Sequence, residues 1–161
     1  MKYAFAAALF AVSTLGCAYA QPAKGSDCKP PPKELVVKEV QEGKGDAAMF
    51  KSGVLVNYTG WFYDGCAKDF KGEQFDTSQG RVTPLGFLVG TGRVIKGWDE
   101  GVLGMKTGGK RMLIIPPDKA YGEKGAGNGK IPPNATLVFD VELVAIPAPP
   151  PAPASSAPKG K

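Results

Sequence analysis

The chain contains no histidine. That removes the usual general base of serine and cysteine hydrolases and the commonest transition-metal ligand. No G-x-S-x-G turn is present to carry a nucleophile. Cysteine is scarce, with three in 161 residues. None stands in a C-x-x-C arrangement, so dithiol redox chemistry has no motif to rest on. Distant cysteines and scattered carboxylates make no zinc motif either, and neither a metal nor a cofactor is expected. Beyond the first residues, no run is long and apolar enough to span a bilayer, so no stable membrane insertion is expected. The formal net charge of +5 comes from scattered side chains rather than a basic run interleaved with aromatics. That pattern argues against nucleic-acid binding and for solubility with a weak attraction to acidic partners.

What is abundant is glycine, at 22 residues, and proline, at 15, beside 43% apolar residues. The length fits one domain with a packed core. The composition suits short strands and many turns better than a helical bundle.

The first twenty residues read as an export signal. Lys2 supplies the positive start, Phe5 to Leu15 the apolar run, and Ala18-Tyr19-Ala20 the cleavage pattern. Cleavage near Ala20 leaves a chain starting at Gln21, periplasmic or secreted. The alternative is a lipoprotein anchored at Cys17, but Thr14-Leu15-Gly16 is a poor lipobox. Cys28 and Cys66 then remain. An even count in an exported protein favours a disulfide over free thiols. It would tie the N-terminal extension to a loop and stabilise by roughly 3–4 kcal/mol in the chain-entropy model.

Residues 21–33 form a Pro-rich lead-in, extended and mobile except near Cys28. Residues 34–146 form the globular part. Residues 147–161 are nearly all Pro, Ala, Ser, Gly and Lys, a tail that cannot bury a core. Strands are expected at Leu35–Val40, Val54–Phe62, Leu85–Val89, Arg111–Ile115 and Thr136–Val144. In the last, Leu137, Phe139, Val141 and Leu143 share one face, and Asp140 and Glu142 the other. Ile95, Trp98, Val102 and Met105 share one face of a short helix. Gly97, Gly101 and Gly104 weaken that helix, so packing must hold it. The sum is an α+β fold, a twisted antiparallel sheet wrapped over one short helix.

Several motifs fail their context. Gly104 to Lys110 is followed by Arg111 and a strand, where a phosphate loop needs Ser or Thr and a helix. Gly90, Gly92 and Gly97 have the wrong spacing for a dinucleotide fingerprint. The sequons at Asn57 and Asn134 carry little weight, the first lying within a strand. Asp76 reads locally as a turn carboxylate or a functional one, with no second carboxylate spaced to pair with it. Tyr58, Phe75, Phe87, Trp98, Tyr121 and Phe139 belong by default to the core. Together they are also compatible with a concave aromatic pocket.

Read in order, the segments resemble the FKBP-type peptidyl-prolyl cis–trans isomerases. They are Val56-Asn57-Tyr58-Thr59-Gly60, Phe75-Asp76-Thr77-Ser78, Phe87-Leu88-Val89-Gly90, Val94 to Gly101, Ala120-Tyr121-Gly122 and Ile131 to Leu143. The resemblance covers about Glu34 to Ala145. It implies Trp98 as the floor under a proline ring, with Tyr58, Phe75, Phe87, Val94 and Phe139 as walls. It implies an Ile95 N–H and a Tyr121 hydroxyl offered to the peptide, Ile131 closing one side, and Asp76 at the rim among polar neighbours. Tyr58, Asp76, Trp98 and Tyr121 would carry the catalysis. The implied partners are proline-containing peptides, unfolded exported proteins and macrolide immunosuppressants, met by a monomer. A non-catalytic peptide-binding chaperone on the same fold is the alternative. Leu85 stands where many members have an aromatic, and the loop Glu123–Lys130 is unusually Gly-rich.

Overall fold

The computed structural model describes residues 28–147. The export signal, its cleavage near Ala20, Cys17 and the tail beyond Pro147 lie outside these residues. Six strands, β1 (Val36–Gln41), β2 (Gly53–Tyr63), β3 (Lys71–Thr77), β4 (Leu85–Leu88), β5 (Lys110–Ile115) and β6 (Leu137–Ala145), form one sheet, and the helix α1 (Lys96–Gly101) packs against it. Their order is β1-β5-β6-β2-β3, with β4 also paired to β2, and every pairing is antiparallel. This is the α+β arrangement the alternation predicts.

The period of two decides which side is inside. In β6, Leu137, Phe139, Val141 and Leu143 are buried on the concave face, while Asp140 and Glu142 stand on the other. Val54, Val56 and Tyr58 of β2 and Leu113 and Ile115 of β5 join them in one core. Each fully buried aliphatic side chain there contributes roughly 1.5–3 kcal/mol. Val138 is buried on the outer face with Met112 and Ile114, beneath Tyr63 and Phe70. That second, smaller cluster breaks the simple inside–outside alternation of β6.

The helix is shorter than the apolar spacing from Ile95 to Met105 predicts. Ile95 is its extended N-cap and Val102 its C-cap. Met105 is still fully buried, but it enters the core after the helix has ended. Gly97 and Gly101 show why a weak helix former is used. A Cβ at Gly97 would stand 2.4 Å from Ile115 Cγ2, and one at Gly101 would stand 2.7 Å from Leu113 Cδ1. Each glycine costs about 1 kcal/mol of helix propensity and in return lets α1 lie directly on β5.

One strand is absent from the sequence reading. Residues 71–77 lack clean alternation, yet they pair with β2 as Thr59↔Thr77, Gly60↔Asp76, Trp61↔Gln74 and Tyr63↔Lys71, with register shifts. Their partner, rather than their own propensity, makes them a strand. On the same edge of β2, β4 takes Gly53–Val56. Tyr58 therefore falls where one partner strand gives way to the other. Its backbone is held there by Ser78: the Tyr58 N–H donates to Ser78 Oγ at 2.8 Å, and the Ser78 N–H donates to the Tyr58 carbonyl at 2.9 Å.

The N-terminal arm is fastened rather than loose over its first described residues. Cys28 is disulfide-bonded to Cys66. The Tyr63 hydroxyl donates to the Lys29 carbonyl at 3.0 Å, and the Lys29 N–H donates to the Gly65 carbonyl at 2.9 Å. No helix among the described residues is long and apolar enough to cross a membrane.

Candidate active site

A cavity of about 260 Å³ opens where the concave face meets the N-terminus of α1. That volume lies just under the ~300–1,000 Å³ typical of small-ligand sites, enough for one small ring and its flanking groups. Trp98, 4% exposed, projects from α1 toward the sheet. Its ring meets Tyr58 at 5.0 Å and 79°, and Phe139 at 5.3 Å and 90°. Phe75 and Phe139 meet at 5.6 Å and 86°. Edge-to-face pairs of this kind contribute about 0.5–1.5 kcal/mol each beyond burial. Gly60 makes the arrangement feasible, because a Cβ there would stand 2.6 Å from Phe139 Cε1 and 2.9 Å from Phe75 Cζ. The Trp98 Nε1–H is buried and has no hydrogen-bond partner among the described residues. Indole area, rather than its donor, is what the residue contributes there.

Val94, Ile95, Tyr121 and Ile131 complete the lining with Asp76 at one side. Val94 and Ile95 arrive on the turn that leads into α1. No acceptor among the described residues takes the Ile95 N–H. Tyr121 is 39% exposed, and its hydroxyl makes no hydrogen bond among the described residues.

Asp76 is the polar hub. Its Oδ2 accepts from the Tyr58 hydroxyl at 2.7 Å. Its Oδ1 accepts from Arg81 Nη2 at 2.9 Å and from the Thr77 N–H at 2.9 Å. The Arg81 guanidinium also stands 5.9 Å from the centre of the Tyr58 ring. Burial, reinforced by the Asp76 hydrogen bond and charge, pushes the Tyr58 phenol up to about 12. Burial, with the Asp76 charge behind it, also raises Tyr121. Both phenols are therefore neutral donors at physiological pH. Tyr58 donates to Asp76, and Tyr121 faces the cavity with its proton uncommitted.

Of the expected site residues, Tyr58, Phe75, Asp76, Val94, Ile95, Trp98, Tyr121, Ile131 and Phe139 come together around this cavity. Phe87 does not line it. Phe87 stands behind the floor, 7% exposed, with its ring 5.8 Å from Trp98. Leu85 is the β4 side chain on the wall. Leu85 pairs with Val56 and Phe87 with Val54, so Phe87 lies two residues, about 7 Å, further along the strand. Gly127 and Lys130, from the Gly-rich loop Glu123–Lys130, also line the cavity, as does Arg93, which the sequence does not single out, any more than it does the supports given by Ser78 and Arg81. Surface cations carry no periodicity, and only the fold brings them to one rim.

A larger groove, about 590 Å³, crosses the outer face of the sheet. Its charged side chains are largely paired, Lys71 with Asp140 at 2.6 Å and Lys110 with Glu142 at 3.5 Å. The Lys71 ammonium also lies 4.6 Å over the Trp61 ring.

A sheet wrapped over one short helix, with an indole-floored cavity between them, defines a class of protein with a small concave apolar site edged by polar groups. The comparisons with known proteins give that class its family. Residues 45–144 match the family model of FKBP-type peptidyl-prolyl cis-trans isomerases. The chain is 49% identical over 116 residues to an FK506-binding protein of Streptomyces anulatus, covering 72% of this chain and 89% of that one. It is 48% identical over 112 residues to an FK506-binding protein of Neisseria meningitidis serogroup A, covering 70% and 95%. The crystal structure of AtFKBP13 superposes with a TM-score of 0.61 at 37% identity, covering 73% of this chain and 96% of that one. A peptidyl-prolyl cis-trans isomerase from Pseudomonas syringae pv. tomato superposes at 0.57 with 34% identity, covering 79% and 83%. This chain belongs to the FKBP-type family, and its activity is peptidyl-prolyl cis–trans isomerisation.

Proposed function

We propose that the indole-floored cavity is where this chain isomerises X–Pro bonds, with Trp98 under the proline ring and Tyr58, Asp76 and Tyr121 as its polar partners. The observation that carries this is the pairing of an apolar floor with two uncommitted donors, the Ile95 N–H and the Tyr121 hydroxyl.

Rotation about an X–Pro bond must break amide resonance, a barrier of about 18–20 kcal/mol. Unassisted, it takes tens to hundreds of seconds. The twisted amide carries less charge separation than the planar one. An apolar cavity therefore disfavours the planar ground state relative to the transition state. The two donors hold the flanking carbonyls while the central bond turns. Each ~1.4 kcal/mol of differential stabilisation gives tenfold in rate. Nothing in this route calls for a nucleophile, a metal or a histidine. FK506, the macrolide after which those relatives are named, would compete for the same walls.

The natural substrates we propose are unfolded proteins that share this chain's exported compartment. The export signal pattern and the Cys28–Cys66 disulfide support that setting, since such bonds persist in oxidising compartments. Fractionation of the host with immunodetection of the full-length product tests it. Recovery from the envelope or medium, shortened at Ala20, is expected. An uncleaved cytosolic product would contradict it.

A further inference from the structure

The fixed charges around the cavity do not balance. Among the described residues, Asp76 is its one lining carboxylate, while Arg93 and Lys130 are two lining cations. Asp76 is already matched by Arg81. Other carboxylates near the rim have partners of their own or face another groove. Asp99 accepts the Gly90 and Gly92 N–H groups, both at 2.8 Å, and so closes the turn that carries Arg93. Glu100 pairs with Lys119. Asp118 and Glu123 line a separate groove with Pro30 to Lys33.

Arg93 and Lys130 are both exposed, and neither makes an ion pair or side-chain hydrogen bond among the described residues. Two solvated cations on a flat surface would signify little. Here they border a low-dielectric concavity, which concentrates their field at the place where the peptide must enter. The chain's overall positive charge reinforces that sign.

We propose that Arg93 and Lys130 are specificity-determining residues. They select proline-containing segments that carry an aspartate or glutamate close to the proline. The inference rests on the cavity being the isomerase site, and it names the substrate class of that site. Extended chain advances about 3.3–3.6 Å per residue, so the acidic side chain must lie within about two residues of the proline to reach either cation.

The test uses the full chain and matched peptides, Ac-Ala-Xaa-Pro-Ala-amide and Ac-Ala-Pro-Xaa-Ala-amide, with Xaa as Glu, Gln or Lys. Exchange NMR gives kcat/KM for each, normalised to the peptide's own uncatalysed rate. In at least one series we expect Glu to exceed Gln by roughly three- to tenfold at low salt, with Lys below Gln. The preference should shrink in about 0.5 M salt, where screening acts over roughly 4 Å. The Arg93→Gln, Lys130→Gln variant should bring the Glu-to-Gln ratio near one. The Arg93→Glu, Lys130→Glu variant should favour Lys over Gln. Equal rates for Glu and Gln in both series would overturn the inference, as would a preference that survives in the double Gln variant. If no peptide is accelerated, the isomerase assignment of the cavity fails separately. Shift titrations with the same peptides then decide the charge preference, and equal affinities for Glu and Gln overturn it.

Discussion

The Tyr58 hydroxyl donates to Asp76 Oδ2 at 2.7 Å, joining β2 to β3 through two residues 18 apart in sequence at the edge of the cavity. Tyr58 sits where β4 gives way to β3 along β2, and Asp76 lies on β3 opposite Gly60. Removing the phenolic oxygen tests what that link does. Asp76 keeps Arg81 and the Thr77 N–H in a Tyr58→Phe variant, so its carboxylate is not stranded. We expect a stability loss of about 1 kcal/mol by chemical denaturation. We expect kcat/KM on an X–Pro peptide to fall by about tenfold. Unchanged turnover in the folded variant would remove Tyr58 from the machinery.

The raised phenol predicts a particular response to alkali. An ordinary tyrosine ionises near pH ~10 in the unfolded chain, whereas Tyr58 holds its proton to about 12 in the folded one. Above pH 10 the unfolded state has therefore lost a proton that the native state keeps. Stability from this group is complete below pH ~10 and is lost as pH rises toward 12. Denaturation midpoints should fall more steeply across that window in the parent than in Tyr58→Phe. Parallel slopes would contradict the buried, hydrogen-bonded phenol.

Gly60 should be intolerant of even one methyl group. In Gly60→Ala the new Cβ meets both Phe139 and Phe75, the two rings that wall the cavity. Overpacking of this sort costs about 1–3 kcal/mol. The displaced rings should also reduce kcat/KM, with the change appearing in aromatic NMR shifts at both residues. An active variant of parental stability would mean that the rings have slack the structure does not show.

The disulfide gives a thiol count. Cys28 and Cys66 are paired, so the chain cleaved near Ala20 should titrate no thiol when denatured without reductant and two after reduction. The bond spans 38 residues, and its loss should cost up to about 4 kcal/mol in the chain-entropy model. A count of two before reduction would rule the bond out.

Much of this was legible in the sequence, for reasons that differ by element. β2 and β6 announce themselves because burial of one face imposes a period of two on them. α1 is legible from Ile95, Trp98 and Val102, although Met105 extends the pattern past the helix end. β3 is not legible, since Lys71 to Thr77 take their conformation from β2 and two register shifts. Aromatic residues foretold the cavity wall except for Phe87, whose place behind Trp98 depends on how far β4 runs past the rim. Ser78, Arg81, Arg93 and Lys130 carry no sequence signal of their own. Each acquires its place from a loop whose path only the folded chain defines.

The most direct test of the central claim, that the cavity is the isomerase site, is exchange NMR on a short X–Pro peptide with the folded, disulfide-intact protein. It should be run with and without a macrolide immunosuppressant and beside a folded variant carrying substitutions at Tyr58, Asp76 and Trp98. The account predicts acceleration that the macrolide abolishes and that the triple variant largely lacks. Full acceleration from the folded triple variant would contradict it.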